Sequence, residues 1–268
     1  MTDMLFRPAP QPTVGYGNVA RSELTKLRTL RSTYLCAGII IVAMVGVAWI
    51  DGYRWHQILT DGFKGDRPDF DATLQVLNGV YLAQLVVGTV AVLAITSEYA
   101  TGMIHATFSA VPQRRAVLAA KAAVVAGTTL VLGEALSFVS FLFGQALLGR
   151  YGVSLSDPGV LRAVIGAGLY LTAVSLLGLG IGATIRHTAG GVSAFFGVLF
   201  APTLLTELLP TDWRSAIINW LPANAGSQIF TVVHPPGALQ PWAGLGVFCV
   251  YAVLALAAAW VLVTARDA

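Results

Sequence analysis

Residues Ala116–Ala146 carry only two charges, Lys121 and Glu134, and residues Gly159–Ile185 carry one, Arg162. Runs this long and this poor in charge cannot be covered by the rest of a 268-residue soluble fold. About 20 apolar residues are enough to cross the hydrocarbon core of a bilayer, so these runs read as membrane spans. Composition points the same way: 11% of residues are charged and 56% are hydrophobic, with mean hydropathy +0.73, where a soluble domain carries roughly a quarter charged residues. A soluble enzyme and a disordered protein are thereby excluded. The two cysteines, Cys36 and Cys249, lie inside apolar runs, so neither a disulfide scaffold nor a cysteine-rich metal site is expected.

The pattern predicts an all-α, polytopic membrane helix bundle with six transmembrane helices, at about residues 33–50, 74–95, 117–148, 160–185, 190–209 and 242–264. An even number puts both termini on one side. Lys and Arg decide which, because cytoplasmic segments retain positive charge. With the N-terminus inside, the inner segments hold Arg7, Arg21, Lys26, Arg28, Arg31, Arg114, Arg115, Lys121, Arg186 and Arg266, ten of the 16 basic residues. The outer segments collect Asp51, Asp61, Asp66, Asp69, Asp71, Asp157, Glu207 and Asp212. Both termini are therefore expected in the cytoplasm. The net charge of +3 is a signal of sidedness, and no nucleic-acid partner is implied.

Outside the spans, residues 1–14 are proline-rich and are expected to form a flexible cytoplasmic arm. Residues 15–32 differ. Ala20, Leu24, Leu27 and Leu30 cluster on one helical face, with Arg21, Lys26, Arg28 and Arg31 near its edges, as in a helix lying in the inner interface. The plainer alternative is the positive flank of a first span. Residues 33–268 form the six-span domain.

The cytoplasmic connection between spans 2 and 3, Thr96–Gln113, offers Thr96 or Ser97 as a cap for a short helix with Glu98 in its first turn. On that helix Tyr99, Met103, Ala106 and Ala110 share a face, while Ile104 and Phe108 point away. Two apolar faces suggest docking on two bodies, the bundle and a partner; the alternative is a loop helix packed beneath the bundle. The outer segment Pro210–Pro241 carries Trp213 and Trp220, with Trp242 following, as in an interfacial belt. There Ile217, Ile218 and Leu221 form either a short helix dipping into the outer leaflet or a plain loop.

No catalytic constellation emerges. His56, His105, His187 and His234 fit no HExxH pattern, and the only lysines, Lys26, Lys64 and Lys121, end no GxxxxGK[ST] phosphate loop. No metal site is expected, and nucleotide chemistry must come from another polypeptide. Glu134 lies thirteen residues beyond Lys121, about 20 Å along a helix axis, near mid-membrane. A carboxylate there marks a pathway, a relay or a buried pair, or else fixes one helix against its neighbours. Asn78, Gln84 and Gln145 are weaker candidates of the same kind. Gly178, Gly180 and Gly182 form a small-residue stripe suited to close helix approach within the bundle, or secondarily to a dimer seam.

The run Arg21–Thr33, RSELTKLRTLRST, resembles the SE-x-TKLRT-x-RST segment that opens bacterial ABC transporter permeases of the type 2, six-span exporter class. Residues Glu98–Arg115, EYATGMIHATFSAVPQRR, followed by Val117–Lys121, are similar to that family's connection between spans 2 and 3. With the six-span layout, the resemblance covers nearly the whole chain. It implies a permease subunit in a bacterial cell membrane, paired with a second permease copy, identical or related, and with separate ATP-binding-cassette subunits that hold ATP and Mg. The chain itself would bind no cofactor and would not be an enzyme. The resemblance makes Glu98–Ser109 the coupling helix, with Glu98, Tyr99, Gly102, Met103, His105 and Phe108 as ATPase-coupling residues. It makes residues 15–31 the connecting helix, with Arg21, Lys26, Arg28 and Arg31 at the interface. Met103 stands where the family often has Thr, and His105 where Arg is frequent; both differences bear on partner choice.

Alternating access driven by the partner's ATP is then the expected mechanism, exporting an apolar or amphipathic molecule such as a drug, antibiotic or lipid. Candidate pathway residues are Tyr81, Glu134, Phe138, Phe141 and Gln145, with Glu134 placed to contact a cation. The competing readings are an ion-coupled secondary transporter, for which one deep carboxylate and no clear inverted repeat argue poorly, and a non-transporting membrane anchor or sensor.

Overall fold

The computed structural model describes residues 16–29, 31–61, 70–104, 114–235 and 237–265. Among them the chain is all-helical. Ten α-helices follow one another: α1 (Tyr16–Thr29), α2 (Arg31–Thr60), α3 (Ala72–Leu77), α4 (Gly79–Ala100), α5 (Arg114–Leu148), α6 (Val160–Ile185), α7 (Thr188–Thr206), α8 (Thr211–Ile217), α9 (Pro222–Ser227) and α10 (Pro241–Ala265). Six stretches are long and apolar enough to cross a membrane: α2, α3 with α4, α5, α6, α7 and α10. They match the six expected runs; the fourth has the expected ends, Val160–Ile185, and the others different ones. The arm at residues 1–14 lies outside the described residues, and the connecting helix ends at Thr29, so Arg31 opens the first span instead.

Helix α6 is the axis of the bundle, with 72% of its apolar window buried against 17% for α2 and for α7. It packs on α4, α5, α7 and α10, and its glycines let α4 and α10 approach closely. A Cβ on Gly178 would stand 2.6 Å from the Gly88 carbonyl oxygen of α4, and one on Gly182 3.0 Å from that of Val92. On another side, a Cβ on Gly180 would stand 2.7 Å from the Ala255 carbonyl carbon of α10. The glycine stripe therefore seats two neighbours on two faces, its packing use within the bundle.

The second span is broken where sequence periodicity showed none. Asn78 ends α3 and donates to Asp51 Oδ2 and Gln75 Oε1, each at 3.2 Å, while Gly79 lies so close to α2 that a Cβ would meet the Ala43 carbonyl oxygen at 2.6 Å. Helix α2 runs ten residues past its expected end at Ile50, through Asp51 and Arg54. Its polar last turns are anchored by Trp55 Nε1 donating to Gln75 Oε1 at 2.9 Å.

Helix α1, the start of α5 and the last turns of α10 lie at one end of the bundle, since Lys121 of α5 donates to Glu23 of α1 and Arg115 sits over Trp260 of α10, 5.7 Å from its ring. The opposite end is closed by the segment between α7 and α10. Its exposed part, α8 with Trp213, Trp220 and Ile217, lies at the surface. The deep part was not foreseen. Helix α9 and the 3-10 turn after it bury Ile229 and Phe230 completely, the Phe230 ring 5.4 Å from Tyr81 and 5.3 Å from Tyr170. Two charged groups pin this plug. Asp71 caps α3 through Oδ1 and accepts from Val232 and Val233 N–H through Oδ2, at 2.6 and 3.0 Å; Arg162 donates to the carbonyls of Ile229 and Thr231, each at 2.9 Å. Burial, then the nearby Arg162, hold His234 in this segment below the usual imidazole range, although Asp71 opposes them.

Candidate functional site: a buried four-charge cluster beside the α4–α5 connection

Glu98 does not open a helix. Helix α4 continues without a break to Ala100, and Thr96 and Ser97 turn their hydroxyls back to the carbonyls of Val92 and Leu93, at 3.0 and 2.7 Å, instead of capping. The reason is hydrophobic continuity: Ala91, Val92 and Ile95 are buried, and the helix stays packed until Gly102 takes a φ of 70°. Glu98 thus sits in the last turn of α4. There the helix dipole opposes a carboxylate, and cations must compensate.

Two lysines do so. Lys121, seven residues into α5, donates to Glu98 Oε1 at 3.0 Å, to the Ala94 carbonyl at 3.1 Å and to Glu23 Oε2 of α1. Lys26 of α1 donates to Glu23 Oε1 at 2.7 Å and to the same Glu98 Oε1 at 2.9 Å. Two acids and two bases alternate around a closed ring. The side chains of Glu23, Glu98 and Lys121 are 6%, 4% and 4% exposed, and that of Lys26 36%. Burial pushes the Glu23 carboxyl up, but Lys121 and Lys26 outweigh it and hold it below the ordinary value. Burial likewise draws the Lys26 ammonium down, and Glu23 and Glu98 outweigh it to leave it raised. By formal charge the ring's two acids and two bases cancel, the condition under which charges persist in a low-dielectric interior.

The ring ties α1, the end of α4 and the start of α5 into one block, with the α4–α5 connection emerging beside it. A second clamp lies nearby. Arg186 takes a left-handed φ of 60°, stacks 5.2 Å above Tyr99 and donates to the Leu262 carbonyl at 3.0 Å. A non-glycine residue in that region costs about 1 kcal/mol, which these contacts offset.

The other candidate residues are placed as follows. Gly102 ends the α4 turn, and Met103 and Ile104 begin a new helical turn. Met103 and Ile104 do lie on different sides, but the expected shared face of Tyr99 and Met103 is split: Tyr99 is partly buried against the bundle, Met103 is half exposed and Ile104 is 2% exposed. Helix α4 carries Tyr99 in its own register, so the assumed single-helix phase fails at Gly102. His105 and Phe108 lie outside the described residues. Arg21 is exposed on α1, and Arg28 is on the same helix near its end. Glu23 and Lys121 were missed as candidates. Lys121 was nevertheless visible as a charge inside an apolar run, and such a charge needs a partner.

The pathway candidates do not converge. Phe141 is 1% exposed and fills the core, so it lines no chamber of this chain; Phe138 packs against the same core. Gln145 donates to the Ala72 carbonyl at 3.2 Å and accepts from Val153 N–H at 2.9 Å, a tie between elements at the end opposite α1. Tyr81 packs on Phe230 of the plug. Glu134 lies against α6 so closely that a Cβ on Gly168 would stand 2.5 Å from its carboxyl carbon, and its Oε2 is buried without a hydrogen bond from any described residue. No group of three or more His, Cys, Asp or Glu suited to a metal occurs among the described residues. No protein-family model matches the chain, and no curated protein matches its sequence.

Proposed function

We propose that the chain is the membrane-spanning permease subunit of an ATP-binding-cassette exporter, moving an apolar or amphipathic small molecule by alternating access, with ATP and Mg held by a separate cytoplasmic subunit. The observation that carries this reading is the charge ring beside the α4–α5 connection. A force applied to that connection reaches α4, α5 and α1 together, because breaking the block means separating buried charges. Six helices fit to span a membrane support the same reading. In it the connection contains the coupling element, Met103 faces the ATPase and Ile104 anchors the turn to the bundle.

Purification of the full-length protein from its native membrane tests this. The expected result is a stoichiometric ATP-binding-cassette subunit, lost in Met103→Asp while the thermal stability of the permease is unchanged. Repeated purification without an ATPase overturns the proposal. The unpaired Glu134 carboxyl favours a second reading, an ion-coupled transporter. In that case Glu134→Gln abolishes transport driven by an ion gradient in vesicles that contain no ATP; in the exporter reading such vesicles transport nothing.

A further inference from the structure

An open-sided crevice runs along the outside of the charge ring. Its inner part, about 390 Å³, is lined by Glu23, Lys26, Glu98 and Lys121; its upper part, about 310 Å³, is apolar, with Ala37, Ile40, Val87 and Leu132. Each volume falls in the range of about 300–1,000 Å³ typical of ligand sites. The two parts share Thr33, Cys36, Val90, Ala94 and Val125 and so form one channel between α2, α4 and α5. Lys121 to Leu132 spans about 17 Å of helix, close to one leaflet of a hydrocarbon core about 30 Å thick. The crevice thus has the length of one acyl chain of one leaflet, with charge only where a headgroup would sit.

One polar atom of a lining residue is unfinished. Glu98 is 3% exposed, its Oε1 accepts from both lysines, and its Oε2 is buried with no hydrogen bond from any described residue. A buried carboxylate oxygen left bare is costly, and a donor on a ligand would satisfy it. Lys26, at 36% side-chain exposure, is the only ring member with surface left for an anion. A bare acceptor beside an accessible cation, in a ring with no net charge, complements a headgroup that carries both signs and donates hydrogen bonds.

We infer that this crevice binds one zwitterionic phospholipid with a primary ammonium headgroup, its ammonium on Glu98 Oε2, its phosphate on Lys26 and one acyl chain along α2 and α5. The site does not depend on an ATPase partner or on transport. A quaternary ammonium matches the charge but has no proton to donate, so the chemistry selects phosphatidylethanolamine over phosphatidylcholine. An anionic phosphatidylglycerol lacks the cation altogether.

The full-length protein, reconstituted in vesicles of equal parts phosphatidylethanolamine, phosphatidylcholine and phosphatidylglycerol and re-extracted in mild detergent, reads the site by native mass spectrometry. Expected is one phosphatidylethanolamine per chain, enriched about tenfold over phosphatidylcholine, equivalent to roughly 1.4 kcal/mol. Cys36→Trp fills the crevice where its two parts meet and removes the bound lipid; Glu98→Gln, where it folds, removes the preference. Equal retention of the three lipids by the unaltered protein overturns the inference. So does undiminished retention in Cys36→Trp, or a Cys36→Trp variant whose one change is dissociation of an oligomer, which would make the crevice a seat for a second copy of the chain.

Discussion

Lys121 has three protons and three acceptors, on α1, on the α4 side chain and on the α4 backbone. With its donors satisfied in this way, replacing it by Met leaves Glu23 and Glu98 buried with Lys26 as their shared cation. Unpairing buried charges costs about 3–5 kcal/mol, so Lys121→Met is expected to lower unfolding stability in detergent by that amount, and Lys121→Arg by less. The Lys121→Met, Glu98→Gln double variant should cost less than the sum of the two single changes, by about 0.5–3 kcal/mol; strict additivity would show that the ring is not a coupled unit. The dependence on pH has a definite sign. The lowered Glu23 carboxyl contributes stability that is present above its unfolded value near 4.5 and is lost as pH falls through the folded value. The raised Lys26 contributes stability that is present below its unfolded value of 10.5 and is lost as pH rises through the folded value. Protease protection of α1 should therefore be flat between about pH 5 and pH 10 and fall away on either side.

Among the elements, α6 depends most on missing side chains. A methyl on Gly178 must displace the α4 backbone at Gly88, not a flexible side-chain tip, whereas a methyl on Gly246 of α10 meets nothing within 4 Å. Gly178→Ala should cost about 1–3 kcal/mol by overpacking and Gly246→Ala less than about 0.5 kcal/mol, measured as shifts in the unfolding midpoint in detergent. Equal effects would mean that the approach of α4 to α6 is not set by the glycine. This stripe was legible in the sequence because small residues at spacing four are a local signal, as are the six apolar runs. The break at Asn78 was not, since it rests on Gly79 meeting the backbone of a different span. Nor was the plug, where two apolar residues, Ile229 and Phe230, go deep beside backbone held from afar: Arg162 holds the Ile229 carbonyl from 67 positions away and Asp71 the Val232 N–H from 161. The ring was half legible. Glu98 and Lys26 stood out as residues, but Glu23 and Lys121 are 98 positions apart and no period links them.

At the scale of the molecule the two ends are built differently. The end with α1 and the last turns of α10 carries Arg21, Lys26, Arg115, Lys121 and Arg186, and two of these are neutralised within the ring. The opposite end carries Asp51, Asp61, Asp71, Asp157 and Glu207 together with Arg54, Arg150, Arg162 and Arg214, and there Arg162 is turned inward onto backbone carbonyls while Arg214 pairs with Glu207. Retention of positive charge during insertion acts on such an asymmetry, and on the proposed reading it would hold the basic end in the cytoplasm. The expected topology is checked with reporters that work on one side only. A fluorescent protein fused after Ala268 should be bright, and alkaline phosphatase fused within residues 152–158 should be active. The reverse pair of outcomes would put the charge ring on the outer face, beyond the reach of a cytoplasmic ATPase, and would overturn the proposed function with the topology. The phospholipid crevice would survive that result, because its chemistry requires only a leaflet beside the ring, so orientation separates the two proposals.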